Sequence, residues 1–295
     1  MEPRDTASQP AIFDDVPRHG RILTFSRLIG EDARPALRRL ARNGWQEDFV
    51  VGFGAGLVSA LEHTIAGLRP SPALVANGVA MPSTPADLWI WLRDDDPGDL
   101  VHIARAMEAD LEDAFALDGV VDGFRHDGGR DLSGYELGPG NPLGDEAIEI
   151  ATVADAGPGL DGAAFLAFQQ WAHDLDALEM YEDDARDALI GRQFEDGERM
   201  VDAPASAHVR RVATGSSEAS MLRRSMAWAD GEGEGLLFLG FAASLDPFER
   251  ALDRMLGVDD GVVDATFRWS RPTSAAHFWC PPVRAGMLDL RAVGL

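Results

Sequence analysis

Lysine is missing from this chain of 295 residues, and all 26 of its basic residues are arginine. Cysteine is almost missing. Cys280 stands alone, which excludes an intrachain disulfide, a cysteine zinc site and an iron–sulfur cluster, and fits a reducing cytoplasm. Positive charge is scarce as well. Against 50 acidic residues the arginines leave a net charge of −24, a surface that repels phosphate, so neither nucleic acid nor an anionic membrane is an expected partner. Long apolar runs are absent too. The longest, 49–61, falls short of a bilayer span and ends at Glu62 and His63; residues 1–17 mix acids, prolines and polar residues without the apolar stretch of a secretory signal. The expected location is therefore the cytoplasm. No phosphate-cradling loop, dinucleotide glycine fingerprint, H-E-x-x-H pair or G-x-S-x-G elbow occurs, which removes the standard nucleotide and hydrolase chemistries.

What remains is a chain with 45% apolar residues, enough to fill the core of one large domain or two smaller ones. Residues 20–26 (GRILTFS), 49–53 (FVVGF), 87–92 (DLWIWL) and 119–124 (GVVDGF) pattern as strands, while 31–42, 57–68 and 100–116 carry helical spacing. The second half repeats this grammar, with strands expected at 164–171, 208–213, 236–242 and 275–280 and helices at 175–190 and 247–256. The order β-α-β-β-α-β, met twice, predicts an α+β fold of two ferredoxin-like modules, 1–140 and 141–295, packed sheet to sheet like a dimeric α+β barrel. The glycine- and proline-rich stretch 134–144 joins them, a place where backbone can approach a ligand closely.

Few residues attract chemical attention on pattern alone. The acidic runs 94–96 and 182–184 read as solvated turns. His208 follows the P-A-S-A stretch 204–207 and precedes Arg210 and Arg211; it reads either as a metal or haem ligand or as a histidine bonded to backbone. His63, His173 and His277 sit in ordinary amphipathic patterns. Tyr135, Tyr181 and the seven tryptophans read first as packing aromatics.

Residues 130–142, RDLSGYELGPGNP, resemble the glycine-rich signature R-D-L-S-G-F-x-D-G-T-x-N-P of dye-decolorising peroxidases, especially their shorter bacterial cytoplasmic branch. Ile190, Gly191 and Arg192 resemble the I-G-R element of that family, and Ala207-His208-Val209 falls where its proximal haem histidine is expected. Residues 221–228 (MLRRSMAW) resemble its distal arginine segment, and 267–279 its closing strand. The resemblance implies haem b (iron protoporphyrin IX) held in the C-terminal module, with His208 on the iron, Arg192 on a propionate, Gly138 against the cofactor, and Arg223 with Ser225 on the distal side. It also implies hydrogen peroxide and an organic reductant as substrates, and a homo-oligomer.

One departure falls at the centre of this signature. Leu137 stands where the family has its distal aspartate, and Pro139 where it has threonine. Leucine carries no proton, and Glu136 beside it is expected on the opposite face of an extended segment. The resemblance therefore implies either a peroxidase of weakened activity, its proton relayed by water held at Arg223 and Ser225, or a haem carrier, sensor or degenerate relative with a drier pocket.

Overall fold

The computed structural model describes residues 6–42, 49–213 and 220–295; the first five residues of the 1–17 stretch lie outside the described residues. Eight strands carry the architecture: β1 (His19–Arg27), β2 (Phe49–Phe53), β3 (Leu88–Asp94), β4 (Phe115–Phe124), β5 (Ala164–His173), β6 (Met226–Ala229), β7 (Glu234–Ala242) and β8 (Ser270–Cys280). Every pairing is antiparallel, and the order β6-β4-β1-β3-β2-β8-β5-β7 returns from β7 to β6, so the sheet closes on itself as a barrel. The first four strands lie side by side as β4-β1-β3-β2 and the last four as β6-β7-β5-β8, the same order in each half of the chain.

The helices are α1 (Arg34–Arg42), α2 (Ala55–Ala60), α3 (Pro97–Leu111), α4 (Gly144–Ala151), α5 (Leu175–Glu179), α6 (Asp183–Ile190), α7 (His208–Val212) and α8 (Asp246–Met255). Their presence outside the barrel explains why several strands are apolar throughout. Strand side chains alternate between faces, and in β3 one face, Trp89 and Trp91, fills the barrel with Ile22, Leu166 and Phe278. The other face, Leu88, Ile90 and Leu92, packs with Leu37, Leu40, Leu100 and Met107 of α1 and α3. Both faces are buried, so the strand reads as a continuous apolar run rather than an alternating one. The tail after β8 returns to the first half: Leu288, Leu290 and Val293 are buried in that same helix-side core.

The expected elements needed several corrections: α4 was not expected, 115–116 open β4 instead of ending the helix 100–116, and four further differences follow. Residues 208–213, expected as a strand, form α7; the five-residue H-V-R-R-V stretch is too short to show a period, and Ala207 enters it in extended conformation as the N-cap. The expected helix 175–190 is two helices, broken at 180–182. The expected helix 57–68 stops at Ala60, and Glu62 turns the chain with φ 64°. Strand β6 was not expected at all, because four residues between turns carry little pattern.

Ladders within each half are long, but the seams between halves hold one paired position each, Phe53 with Trp279 and Phe124 with Ala227. At the first seam a buried side chain supplies the missing bonds. Gln9 donates from Nε2 to the carbonyls of Val51 and Pro281 (2.9 Å each) and accepts the Val51 N–H at Oε1 (2.7 Å). Unpaired buried backbone groups cost ~1–3 kcal/mol each, so Gln9→Ala is expected to lower stability by about 3 kcal/mol. Urea denaturation checks this through a lower midpoint at unchanged slope; an unchanged midpoint shows the seam closes without Gln9.

His277 on β8 is 3% exposed, edge-on to Phe248 and 3.9 Å from Glu249. Burial, only partly offset by Glu249, pushes its imidazole down to about 4. As pH falls, the unfolded chain protonates this histidine near ~6.5 while the folded chain resists, so its contribution is lost on acidification between those values. Replacing it, His277→Gln, is expected to flatten the pH dependence of unfolding free energy across that window. The check is denaturation at stepped pH, and an unaltered slope rejects the assignment.

Candidate functional site

A cavity of ≈ 230 Å³ opens on the second half of the barrel. Its floor is the outer face of β5 and β7, where Gln169, Trp171, His173, Leu236 and Phe238 project. Val209, Val212, Leu252 and Met255 of α7 and α8 form one wall, and the loop through Asp131, Tyr135, Leu137, Gly138 and Pro139 forms the other. Gly138, Arg192, His208, Arg223 and Ser225 all border this one space, although they are scattered over almost ninety positions. A smaller cavity of ≈ 60 Å³ lies beyond Leu137, Gly138, Arg223 and Ser225, between them and His126 and Arg130.

His208 is the first residue of α7. Its Nδ1 lies 2.8 Å from Oδ2 of Asp264, which is 1% exposed and whose other oxygen accepts the Thr266 N–H at 2.8 Å. Burial alone would lower the imidazole pKa, but the Asp264 carboxylate outweighs it and holds the group above its ordinary value. With Nδ1 taken by Asp264, the nitrogen left to the cavity is Nε2. Asp264 was missed in the sequence, where it is one acid among fifty; its only local signal is that it caps the short turn Ala265–Arg268.

Arg223 sits on a two-residue strand, Leu222–Arg223, paired to β7. Asn141 clamps it: the amide Nδ2 donates to the Arg223 carbonyl (2.9 Å), while Oδ1 accepts the Arg223 N–H (3.0 Å) and Nε (3.3 Å). A further bond runs from Nη2 to the Pro139 carbonyl (3.0 Å). Arg224 points away, donating to the carbonyls of Ile12 and Phe13. Strand alternation separates the two neighbours. Arg192 donates to the Gly197 carbonyl (2.7 Å) at the cavity edge. Glu136, expected on the opposite face from Leu137, borders the cavity as well; its side chain is half exposed beside Arg130 (3.5 Å).

A buried polar network was also missed. Asp131 Oδ1 lies 3.2 Å from His173 Nε2, and His173 Nδ1 lies 2.7 Å from the Ser270 hydroxyl. Burial would raise the Asp131 carboxyl, yet His173 and Ser133 together hold it below its usual range. His173 is therefore no ordinary amphipathic residue; it fastens the 131–139 loop to the barrel.

Three buried polar atoms on the cavity wall, Gln169 Nε2, Thr266 Oγ1 and Trp269 Nε1, have no hydrogen-bond partner among the described residues. Such orphans are uncommon in native interiors unless a bound group or water meets them. A mostly apolar slot with an imidazole nitrogen, a fixed arginine and unmet polar atoms fits a large, flat cofactor with a polar edge. Among the described residues no group of three His, Cys, Asp or Glu side chains converges as a metal site, and no helix is long and apolar enough to cross a membrane.

Residues 128–285 match the family "Dyp-type peroxidase, C-terminal". The chain belongs to this family. Its similarity extends beyond the matched region: a dye-decolorizing peroxidase of Mycobacterium tuberculosis is 28% identical over 247 residues, covering 79% of this chain and 73% of that protein. One from Brevibacterium linens is 27% identical, covering 79% and 66%. Among solved structures, a dye-decolorizing protein from V. cholerae superposes with a TM-score of 0.83 at 25% identity, covering 92% of this chain and 96% of that one. A Rhodococcus jostii RHA1 DypB variant in complex with heme shares the fold at TM-score 0.85 and 24% identity, covering 92% and 96%. Dyp-type peroxidases are oxidoreductases, and the cavity lies in the matched region.

Gly138 tests how tightly the Arg223 clamp is built. It adopts φ 72°, and a Cβ there would stand 2.6 Å from Asn141 Nδ2; Gly128, at φ 71°, has nothing within 4 Å. Gly128→Ala should cost only the left-handed backbone, ~1–2 kcal/mol, whereas Gly138→Ala should cost that and displace Asn141. Equal losses in urea denaturation would show that the clamp yields freely.

Proposed function

We propose that the cavity binds haem b, whose iron His208 would hold, and that the protein is a haem-dependent peroxidase oxidising organic donors with hydrogen peroxide. The observation that carries the reading is the His208–Asp264 pair, which leaves Nε2 to a slot bordered by Arg223. When bound, haem supplies iron that takes oxidising equivalents from peroxide and passes them to a donor. Asp264 makes His208 a more electron-rich ligand and fixes its ring orientation. Arg223, held by Asn141 and Pro139 before any substrate arrives, offers a permanent positive charge to peroxide and to the negative charge that grows as its O–O bond parts. Arg192 pairs with a propionate. Gly138 lets the loop backbone approach the cofactor. Leu137 moves no proton, so the Ser225 hydroxyl and water held by Arg223 carry that task. The smaller cavity behind Arg223 and Ser225 supports a route for peroxide to that side.

The repeated strand order supports reading each half as a ferredoxin-like module, 1–140 and 141–295, the second carrying the haem ligand. The single cysteine and the acidic surface support a cytoplasmic protein with no nucleic-acid or membrane partner, and a homo-oligomer rests on the family resemblance alone. A second reading, haem binding without peroxidase turnover, rests on one observation: Leu137 dries the place where the family keeps a carboxylate.

Absorbance of the purified protein in the Soret region tests the cofactor. His208→Ala is expected to lose most bound haem; unchanged haem content rejects the ligand. With peroxide in a stopped-flow instrument, Arg223→Leu is expected to react about tenfold more slowly or worse, and Arg224→Leu at the parent rate. Leu137→Asp should accelerate that reaction by up to ~10²-fold if a proton shuttle is all that is missing. A folded, haem-replete Leu137→Asp protein no faster than its parent favours the non-catalytic reading.

A further inference from the structure

His208 and Asp264 are 56 positions apart in the chain, yet both are tied to one place, the C-terminal end of α8. A helix ends in carbonyls that no N–H of its own reaches, and here those of residues 254–257 are met from three directions. The Arg254 carbonyl accepts Nε (2.9 Å) and Nη2 (2.5 Å) of Arg211, three residues after His208 on α7. The Met255 carbonyl accepts the backbone N–H of Asp264 (2.8 Å). The carbonyls of Leu256 and Gly257 accept the side-chain amide Nδ2 of Asn77 (2.9 and 2.8 Å), which arrives from the first half of the chain.

Each tie is built for its place. Arg211 is 6% exposed, its Nη1 and Nη2 are forked onto Asp260 (2.8 and 2.9 Å), and its charge suits the negative end of the helix dipole. The five residues of α7 are too few to stand as a helix alone, so the position of His208 is set by whatever grips that turn. Asn77 and Gly78 turn the hairpin of Leu74–Ala76 and Val79–Met81 with φ 49° and 83°, the left-handed pair that a two-residue turn requires. Met81 of the hairpin is buried with Met255 and Leu256. Just beyond it, Thr84 exchanges two bonds with Ala275 of β8, N–H to carbonyl (2.8 Å) and Oγ1 from N–H (2.9 Å).

We propose that the C-terminal end of α8 sets the alignment of the His208–Asp264 pair, with Arg211 and Asn77 as positioning residues. The purpose of that alignment rests on the haem reading; the alignment itself belongs to the protein without cofactor. Asp264 is bonded directly to the helix end and His208 is joined to it through Arg211, so the 2.8 Å contact between them is fixed by two arms from one anchor. Asn77 holds the anchor to a hairpin that is itself fastened to the barrel. Without Arg211, α7 is free to slide past Asp264; without Asn77, two carbonyls at the end of α8 lose their donor and that end frays, carrying both arms with it.

The test compares the parent with Arg211→Gln, Asn77→Ala and Gln9→Ala, the last loosening the barrel seam and leaving the end of α8 intact. Haem-free protein labelled with ¹⁵N-histidine is studied first by NMR. The proton between His208 Nδ1 and Asp264 is assigned by its loss in His208→Gln, and its exchange with water is measured. Exchange is expected to be about tenfold faster in Arg211→Gln, about threefold faster in Asn77→Ala and unchanged in Gln9→Ala. In haem-loaded, reduced protein the iron–histidine stretching band of the resonance Raman spectrum should move to lower frequency in the first two variants only, because a looser bond to Asp264 makes the imidazole a poorer electron donor. Parent-like exchange in both variants overturns the proposal. Equal acceleration in Gln9→Ala overturns it too, since a general loosening would then explain the effect. If Arg211→Gln does not fold, Asn77→Ala decides, because residue 77 is exposed at a turn. A parent that takes up no haem rejects the haem reading, and the haem-free measurement still judges the alignment; a parent that takes up haem beside two variants with parent-like exchange and band rejects the alignment alone.

Discussion

Closure of the barrel is the constraint on which the rest depends. Two four-stranded halves meet at seams that hold one paired position each, and such short seams are held shut by what lies across and behind them. Across the first lies the Gln9 amide, standing in for ladder bonds; behind both lies the shared core of Trp89, Trp91, Leu166 and Phe278. The second seam, through β6, also carries the segment from which Arg223 and Ser225 reach the cavity. Geometry at the site is therefore inherited from closure: if β6 shifts along β4 or β7, the arginine moves with it.

Within that frame the site is arranged as two clamps facing one slot. A carboxylate that is almost wholly buried orients His208, and an amide with both its ends engaged orients Arg223. Each clamp removes conformational freedom in the free protein, so a bound group meets positioned side chains. The loop carrying Gly138, Pro139 and Asn141 is fastened in turn through Asp131 to His173 on the barrel. Rigidity thus passes from sheet to loop to arginine.

How much of this was legible depended on distance along the chain. Strands 49–53 and 236–242 announce themselves because burial on both faces makes each an unbroken apolar run, and α3 shows through its spaced Leu100, Met107 and Leu111. Five residues of α7 and four of β6 are too few to display a period, so the element bearing His208 was misread and the closing strand missed. Gly138, Arg192, His208, Arg223 and Ser225 came from motif resemblance, not from pattern. Of their partners, Asn141 stands inside the matched 130–142 segment with no role marked for it, 82 positions from Arg223, and Asp264, 56 positions from His208, lies outside every matched segment, since nothing local marks a contact that remote.

The shared barrel core also bears on biosynthesis. Trp89 and Trp91 are sealed in the finished molecule by Leu166, Leu239 and Phe278, all from the second half. A ribosome delivers the first half well before those residues emerge, so for that interval two tryptophans and the open edges of β2 and β4 face solvent. Newly made chains pass through a sticky, half-walled intermediate, and growth at high temperature or rapid overexpression taxes chaperones at that stage, whatever the stability of the completed barrel.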